Sequence, residues 1–211
     1  MQLAIIGSGS VGGALAAAAV SAGHSVALAS SDGTQAAEVA SKTGATAASS
    51  NAEAVRDADV VVLAVPGLAV SGIADELGSA LDGKVVLDST NPLNESFTDL
   101  FTTGRSAAEE LQDKLPNAKV VKGFNTIFAG RHGNPTEDGL ALDAFLASDD
   151  ASAKATAGEL AESLGYKVID AGGLRFARSL EEMAFLNIAL NASRGWPWQS
   201  GWKLVGPTAA Q

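Results

Sequence analysis

Near the start of the chain, Gly7-Ser8-Gly9-Ser10-Val11-Gly12 sets three glycines at the spacing G-x-G-x-x-G. The apolar run Leu3-Ala4-Ile5-Ile6 precedes them and an alanine-rich run from Ala14 to Val20 follows. Strand, glycine turn and helix, in that order, is the setting in which this spacing cradles a pyrophosphate. Gly7 permits the tight turn, Gly9 lets the backbone approach the phosphates, and Gly12 lets the helix sit close on the strand. The helix N-terminus offers unpaired N–H groups and the positive end of its dipole. A secretory signal peptide is also apolar and small-residue-rich, but this stretch has no basic leader and glycines interrupt it. The chemistry predicted is dinucleotide binding.

In an open α/β sheet, ligands bind at the carboxyl ends of the strands. Five loops then matter: Gly7–Gly12, Ser30–Gly33, Val65–Leu68, Asp88–Leu93 and Phe124–Arg131. Val65-Pro66-Gly67 ends an apolar run, so that Pro66 either presses on a nicotinamide or its ribose or simply starts a helix. Ser89-Thr90-Asn91-Pro92 either supplies hydroxyl and amide groups to the ribose or carboxamide, or is a turn of good turn formers. Ser30-Ser31-Asp32 stands where the 2′ position of the ribose is read. An acidic residue there favours a free hydroxyl, two serines can hydrogen-bond a phosphate, and Asp32 can equally cap the next helix.

The elements that must hold these loops alternate regularly. Apolar β-type runs recur at Leu3–Ile6, Ser25–Ala29, Val60–Val65, Lys84–Asp88 and Lys119–Lys122. Helical stretches at Val11–Ala22, Thr34–Lys42, Leu68–Leu81 and Arg105–Leu115 fall between most of them, with a short strand near Ala45–Ala47 and a short helix near Ala52–Arg56. That rhythm implies right-handed βαβ units and a parallel sheet covered on both faces. The fold expected is a Rossmann-type doubly wound, mostly parallel α/β sheet. Residues 1–123 form its dinucleotide-binding domain. A C-terminal extension, 124–211, is expected to pack on the same domain. It holds a long loop (Phe124–Asp138), strands at Ala141–Ala147 and Tyr166–Asp170 around a helix Ala151–Leu164, and a helix at Ser179–Ser193. So short a remainder leaves no room for the large helical second domain of the 6-phosphogluconate-type hydroxyacid dehydrogenases.

Composition narrows the partners. Net charge is −10, which disfavours nucleic acid and anionic membranes, and no apolar run is long enough to span a bilayer. Cysteine is absent and the two histidines, His24 and His132, lie far apart, so no metal site is expected. A cysteine-free chain is compatible with the cytosol, and a cytoplasmic protein is expected.

Two later segments carry a family resemblance. Arg105-Ser106-Ala107-Ala108-Glu109 with Lys119-Val120-Val121-Lys122-Gly123-Phe124-Asn125-Thr126-Ile127-Phe128-Ala129, and then Val168–Leu174 with the helix ending Asn187-Ile188-Ala189-Leu190-Asn191, resemble the coenzyme F420H2:NADP oxidoreductases. They are similar too to the reductase domain of the six-transmembrane epithelial antigen of prostate metalloreductases. The resemblance implies NADP(H) in the strand-end cleft, with NAD possible, and a deazaflavin (coenzyme F420) or flavin stacked on the nicotinamide. By position it puts Ser8, Ser10 and Val11 at the pyrophosphate turn, Ser30 and Ser31 at the 2′-phosphate and Pro66 beside the nicotinamide. It puts Asn125 to Ala129 in the hydride-transfer pocket, with Asn125 and Thr126 as candidate catalytic residues and Ile127 and Ala129 on the cofactor side. The family usually has Arg where this chain has Ser31, and its deazaflavin enzymes often have His where this chain has Asn125.

The function expected is hydride transfer between NADP(H) and a planar small-molecule redox acceptor, achieved chiefly by holding two rings together. Alternatives are a flavin, ferric or other small-molecule reductase, or a module that senses NADP(H) without turnover. Arg131 is expected to offer a cation to an anionic acceptor tail. Trp196, Trp198 and Trp202 either form a homodimer interface with the last helix or fold back over the chain's own acceptor pocket.

Overall fold

The structure, a computed structural model, describes residues 1–206. Along the chain run β1 (Gln2–Ile6), α1 (Ser10–Ser21), β2 (Ser25–Ala29), α2 (Gly33–Thr43), β3 (Thr46–Ala47), α3 (Asn51–Val55), β4 (Val60–Leu63), α4 (Val70–Leu77) and β5 (Val85–Asp88). There follow α5 (Ala107–Lys114), β6 (Lys119–Lys122), β7 (Thr136–Glu137), β8 (Leu140–Ala141), β9 (Asp143–Ala147), α6 (Ala151–Ser163), β10 (Lys167–Gly172) and α7 (Ala177–Arg194). Eight strands make one sheet in the order β10-β9-β6-β5-β4-β1-β2-β3, parallel throughout except where β9 meets β6 antiparallel at Ala147 and Lys122. The order reverses at β1, which places the switch point between β1 and β4.

Alternation along each strand splits the core in two. Leu3, Ile5, Val60, Val62 and Leu87 face α1, α2 and α6, whereas Ala4, Ile6, Val61, Leu63 and Val86 face α3, α4 and α5. Small residues bring α1 close: a Cβ at Gly12 would run into the Gly7 carbonyl, and one at Gly7, whose φ is +113°, would run into the carbonyl of Ala64. The extension joins the same sheet through β9 and β10.

Several expected elements are shorter or divided. The helix expected at Leu68–Leu81 is α4 alone, with 3-10 turns at Gly67–Ala69 and Gly78–Leu81 on either side. At Gly67 the backbone lies against the Asn91 carbonyl, where a Cβ would not fit. The strand expected at Ala141–Ala147 divides: Leu140 and Ala141 pair with Thr136 and Glu137 in a hairpin, and β9 starts at Asp143. On α7, Leu180, Ala184 and Asn187 are buried, but Leu186 is half exposed.

Candidate functional site

Gly9 is the N-cap of α1, and its carbonyl accepts the Gly13 N–H at 2.8 Å. A Cβ built on Gly9 meets nothing within 4 Å, in contrast to Gly7 and Gly12. The chain therefore leaves open space where the first N–H groups of α1 point. That space belongs to a cavity of about 510 Å³ between the ends of β1, β4 and β5, walled by Gly9, Ser10, Val11, Val65, Pro66 and Asn91, with Phe97 at its outer edge. Pro66 precedes the 3-10 turn at Gly67, as one of its two readings expected, and its side chain lines the cavity.

Ser8 is buried, and its hydroxyl donates to Gln35 Oε1 at 2.9 Å, tying the glycine turn to α2. Ser30, Ser31 and Asp32 follow β2 and lie apart from this cavity. Asp32 is the N-cap of α2, its Oδ1 accepting the N–H groups of Thr34 and Gln35 at 3.0 Å each. Ser30 Oγ accepts the Asp32 N–H at 3.4 Å, while Ser31 is exposed.

Asn125 does not line the cavity; it is buried directly behind Asn91, which does. The two clasp each other: Asn91 Nδ2 donates to the Asn125 carbonyl at 2.9 Å and Asn125 Nδ2 donates to Asn91 Oδ1 at 3.0 Å. Asn125 Nδ2 also donates to the Leu180 carbonyl of α7 at 3.0 Å, which leaves Asn125 Oδ1 a buried acceptor without a partner. The bend that delivers Asn125 is built at Phe124, whose φ of +60° is a conformation bulky residues avoid. Phe124 is held there by burial against the rings of His132 and Tyr166, with centroids 5.7 Å away in each case. Thr126 and Ile127 are buried beside it, Ile127 packing into the core with Phe124. Ala129 begins a 3-10 turn that packs against α1.

Arg131 departs from expectation. Its side chain is 3% exposed, with Nη2 donating to the Thr136 carbonyl at 2.6 Å and Nη1 paired with Glu137 at 2.9 Å. The guanidinium braces the β7–β8 hairpin and has no free face to offer an acceptor.

Sequence reasoning missed a buried ionic cluster directly under the site. Lys122 is 0% exposed and donates to Asp88 Oδ2 (2.9 Å), to the Thr90 carbonyl (2.7 Å) and to Glu181 Oε1 (3.1 Å). Asp88 Oδ1 accepts the Thr90 N–H at 2.9 Å and its hydroxyl at 2.7 Å. Glu181 accepts the first N–H groups of α5, from Ala107 (3.1 Å) and Ala108 (3.4 Å). Burial pushes the Glu181 carboxyl above the ordinary carboxylate range, with Lys122 opposing that push. Lys122, flanked by two carboxylates, is held above its ordinary value although burial works against it. A readable signal existed: Asp88 and Lys122 are opposite charges at the ends of two apolar runs, and they share one register position on β5 and β6. On the rim of the same region Arg178 of α7 clamps Glu109 of α5 with two bonds of 2.7 Å and draws its carboxyl down to about 2.

The tail folds back. Trp198 and Phe128 pack edge to face with ring centroids 5.4 Å apart, and the Trp198 backbone N–H donates to the buried Asn191 Oδ1 at 3.1 Å. Asn191 and Asn187 together hold Ser200, and Lys203 reaches Asp143 at 2.6 Å. No three His, Asp or Glu side chains cluster to hold a metal among the described residues. Nor is any described helix long and apolar enough to cross a membrane.

The family model for coenzyme F420-dependent NADP oxidoreductases matches residues 2–92. An F420-dependent NADP reductase of Methanothermobacter marburgensis is 33% identical over 214 residues, covering 90% of this chain and 92% of that protein. The rat metalloreductase STEAP3 is 32% identical over 129 residues, 61% of this chain but 25% of that one. A crystal structure from Arthrobacter sp. FB24, provisionally assigned to the F420-dependent NADP reductases, superposes with a TM-score of 0.85 at 29% identity, covering 92% of this chain and 95% of that one. A relative 33% identical over 90% of this chain and 92% of its own length settles the kinship: this chain belongs to the F420-dependent NADP reductase family.

Proposed function

We propose that the chain is an oxidoreductase that moves a hydride between NADP(H) and the deazaflavin coenzyme F420. The observation that carries this is the open space over Gly9, continuous with a cavity that ends on Asn91, behind which Asn125 is buried and hydrogen-bonded to it. Backbone N–H groups at the start of α1 suit a pyrophosphate, and the apolar walls at Val11, Val65 and Pro66 suit a nicotinamide. When bound, the nicotinamide and the deazaflavin ring would supply the hydride chemistry, one giving the hydride that the other takes up. The residues of this chain orient the two rings and keep water away, and direct ring-to-ring transfer needs no general acid. Asn125, and Thr126 beside it, are the residues proposed to serve the reacting end, through the hold of Asn125 on Asn91, which lines the cavity.

Phe128 and Trp198 are proposed to form the apolar shelf on the acceptor side, with Ile127 and Ala129 behind it. Ser30 and Ser31 are proposed to meet the 2′-phosphate with neutral hydrogen bonds. The outer face of α7, where Met183, Phe185, Leu186 and Ala189 are left in a groove, supports a homodimer joined through that helix. Mixing the protein with NADPH and F420, then separately with FMN and a ferric chelate, tests the reading. Coupled nicotinamide oxidation and deazaflavin reduction is expected with F420. Turnover with FMN or the ferric chelate but not F420 would overturn the acceptor, and nucleotide binding without turnover in any mixture would make the chain a sensor. Light scattering of wild type and Leu186→Glu tests the dimer, which is expected only for wild type.

A further inference from the structure

Leu180 and Glu181 are neighbours on α7, and each sends a contact toward the cleft by a different route. The Leu180 carbonyl accepts from Asn125 Nδ2 at 3.0 Å, and Glu181 binds Lys122 Nζ at 3.1 Å. Lys122 grips the Thr90 carbonyl at 2.7 Å, the next residue along the chain is Asn91, and Asn91 clasps Asn125. The contacts close into a ring: Glu181, Lys122, Thr90, Asn91, Asn125, Leu180 and back to Glu181 through the helix backbone. We propose that Lys122 and Glu181 are positioning residues for hydride transfer, holding the Asn91–Asn125 clasp, and with it the unpaired Asn125 Oδ1, at a fixed place behind the cavity.

The composition of the ring favours this role over simple cohesion. Lys122, Asp88 and Glu181 are each no more than about 1% exposed, and three buried charges are poor cement, since apolar residues of similar volume commonly do as well or better. What apolar residues would not do is grip a particular carbonyl. All three Lys122 protons are committed, one of them to Thr90, whose N–H and hydroxyl are both committed to Asp88. The end of β5 is thus fixed by both its donor and its acceptor side, one residue before the side chain that faces the cavity. The two carboxylates outnumber the one ammonium, and the N-terminus of α5 supplies the balancing positive end through the Ala107 and Ala108 N–H groups. The ring therefore couples α5 and α7 to the floor of the cleft, while none of its charged members lines the cavity.

This inference rests on the proposed hydride-transfer site, and its test separates the two. Glu181→Gln keeps an acceptor for the α5 N–H groups while removing the negative charge that faces Lys122. Lys122→Met is the second variant, and Glu181→Gln decides alone if that protein does not fold. The side-chain amide signals of 15N-labelled full-length protein, with Asn125 identified by its loss in Asn125→Ala, report the clasp without any acceptor. Expected for Glu181→Gln are a displaced Asn125 signal, an NADP⁺ Kd within about twofold of wild type, and a kcat about tenfold lower with an enlarged deuterium isotope effect on hydride transfer. An unmoved Asn125 signal, or a loss of NADP⁺ binding that accounts for all the lost activity, would overturn it. Absence of turnover in wild type would instead overturn the hydride-transfer reading and leave the amide signal to decide positioning.

Discussion

Asn91 and Asn125, 34 residues apart on neighbouring strand ends, hold each other by two hydrogen bonds that use the main chain of one and the side chains of both. A pair so joined moves as a unit, so whatever Asn91 touches in the cleft is felt by Asn125 and by α7 behind it.

Asn125→Ala follows directly. It removes the donors to Asn91 Oδ1 and to the Leu180 carbonyl, two acceptors near or within the protein interior. Stability should fall by about 1–3 kcal/mol, the usual cost of leaving buried partners unmade. The change is not one that spares the fold, as an exposed turn asparagine would. Turnover should fall at least about tenfold with NADPH affinity little changed. Denaturant titration and steady-state kinetics on the same preparation check both, and an unaltered kcat would remove Asn125 from the reacting end.

The three glycines should separate by consequence. Gly9→Val places methyls in open space, so the protein should fold as wild type and lose dinucleotide binding. Gly12→Ala drives a Cβ into the Gly7 carbonyl, so it should damage the packing of α1 on the sheet. Thermal melts and nucleotide titration of the pair decide it. A folded Gly9→Val that binds NADPH normally would place the phosphates elsewhere.

These contrasts show where the sequence was legible. The glycine turn and the first six strands could be read because apolar periodicity and turn chemistry are local, and β2 and β6 match the expected bounds residue for residue. Contacts that depend on two distant segments meeting were not readable in the same way. Asn125 was singled out, but its burial behind Asn91 depends on the bend at Phe124, which no propensity foretells for a phenylalanine. Lys122 was counted as one strand residue among others, because its meaning lies in facing Asp88 across two strands and Glu181 across the helix layer. Arg131 misled for the same reason, since the hairpin that claims it comes after it in the chain.

Cofactor choice should turn on Asp32. Its carboxylate caps α2 next to Ser30 and Ser31, so a negative charge stands close to the place proposed for the 2′-phosphate. Asp32→Asn keeps a capping oxygen and removes the charge. NADPH should bind about two- to fivefold more tightly, the scale of an exposed charge interaction, with NADH unchanged. Ser31→Arg should raise the preference further by adding a charge-assisted pair. If Asp32→Asn weakens NADH instead, Asp32 is a ribose ligand and the chain prefers NAD.

His132 should make stability depend on pH. It is buried, and burial alone holds it down to about 4 against an ordinary value of 6.5. The unfolded chain takes up this proton below about pH 6.5, whereas the folded protein resists until about pH 4. Stability from this group is therefore complete above 6.5 and is lost as pH falls through that window, by about 1.4 kcal/mol per unit. Glu181, pushed upward, titrates with the opposite sign, so the comparison that isolates His132 is with His132→Gln. Urea melts at about pH 7.5 and about pH 5 should show a smaller loss in that variant, and equal losses would refute the assignment.

Trp198 offers the clearest probe of the acceptor side. Its φ of +59° is a conformation a tryptophan rarely adopts, and its backbone N–H is held there by the buried Asn191 Oδ1. The ring is nonetheless 45% exposed while its edge meets Phe128, three residues beyond Asn125. A large apolar ring held out in solvent beside Phe128 is what the proposed acceptor shelf requires. Trp198→Ala should keep the tail in place, because Ser200 and Lys203 carry separate bonds to α7 and β9. The KM for the planar acceptor should rise about tenfold, the scale of losing one aromatic contact, while the Kd for NADPH stays within about twofold. Trp198→Phe should recover most of the loss, since a smaller ring preserves the face. Equal KM values in all three proteins would mean that the acceptor approaches from another side of the cleft.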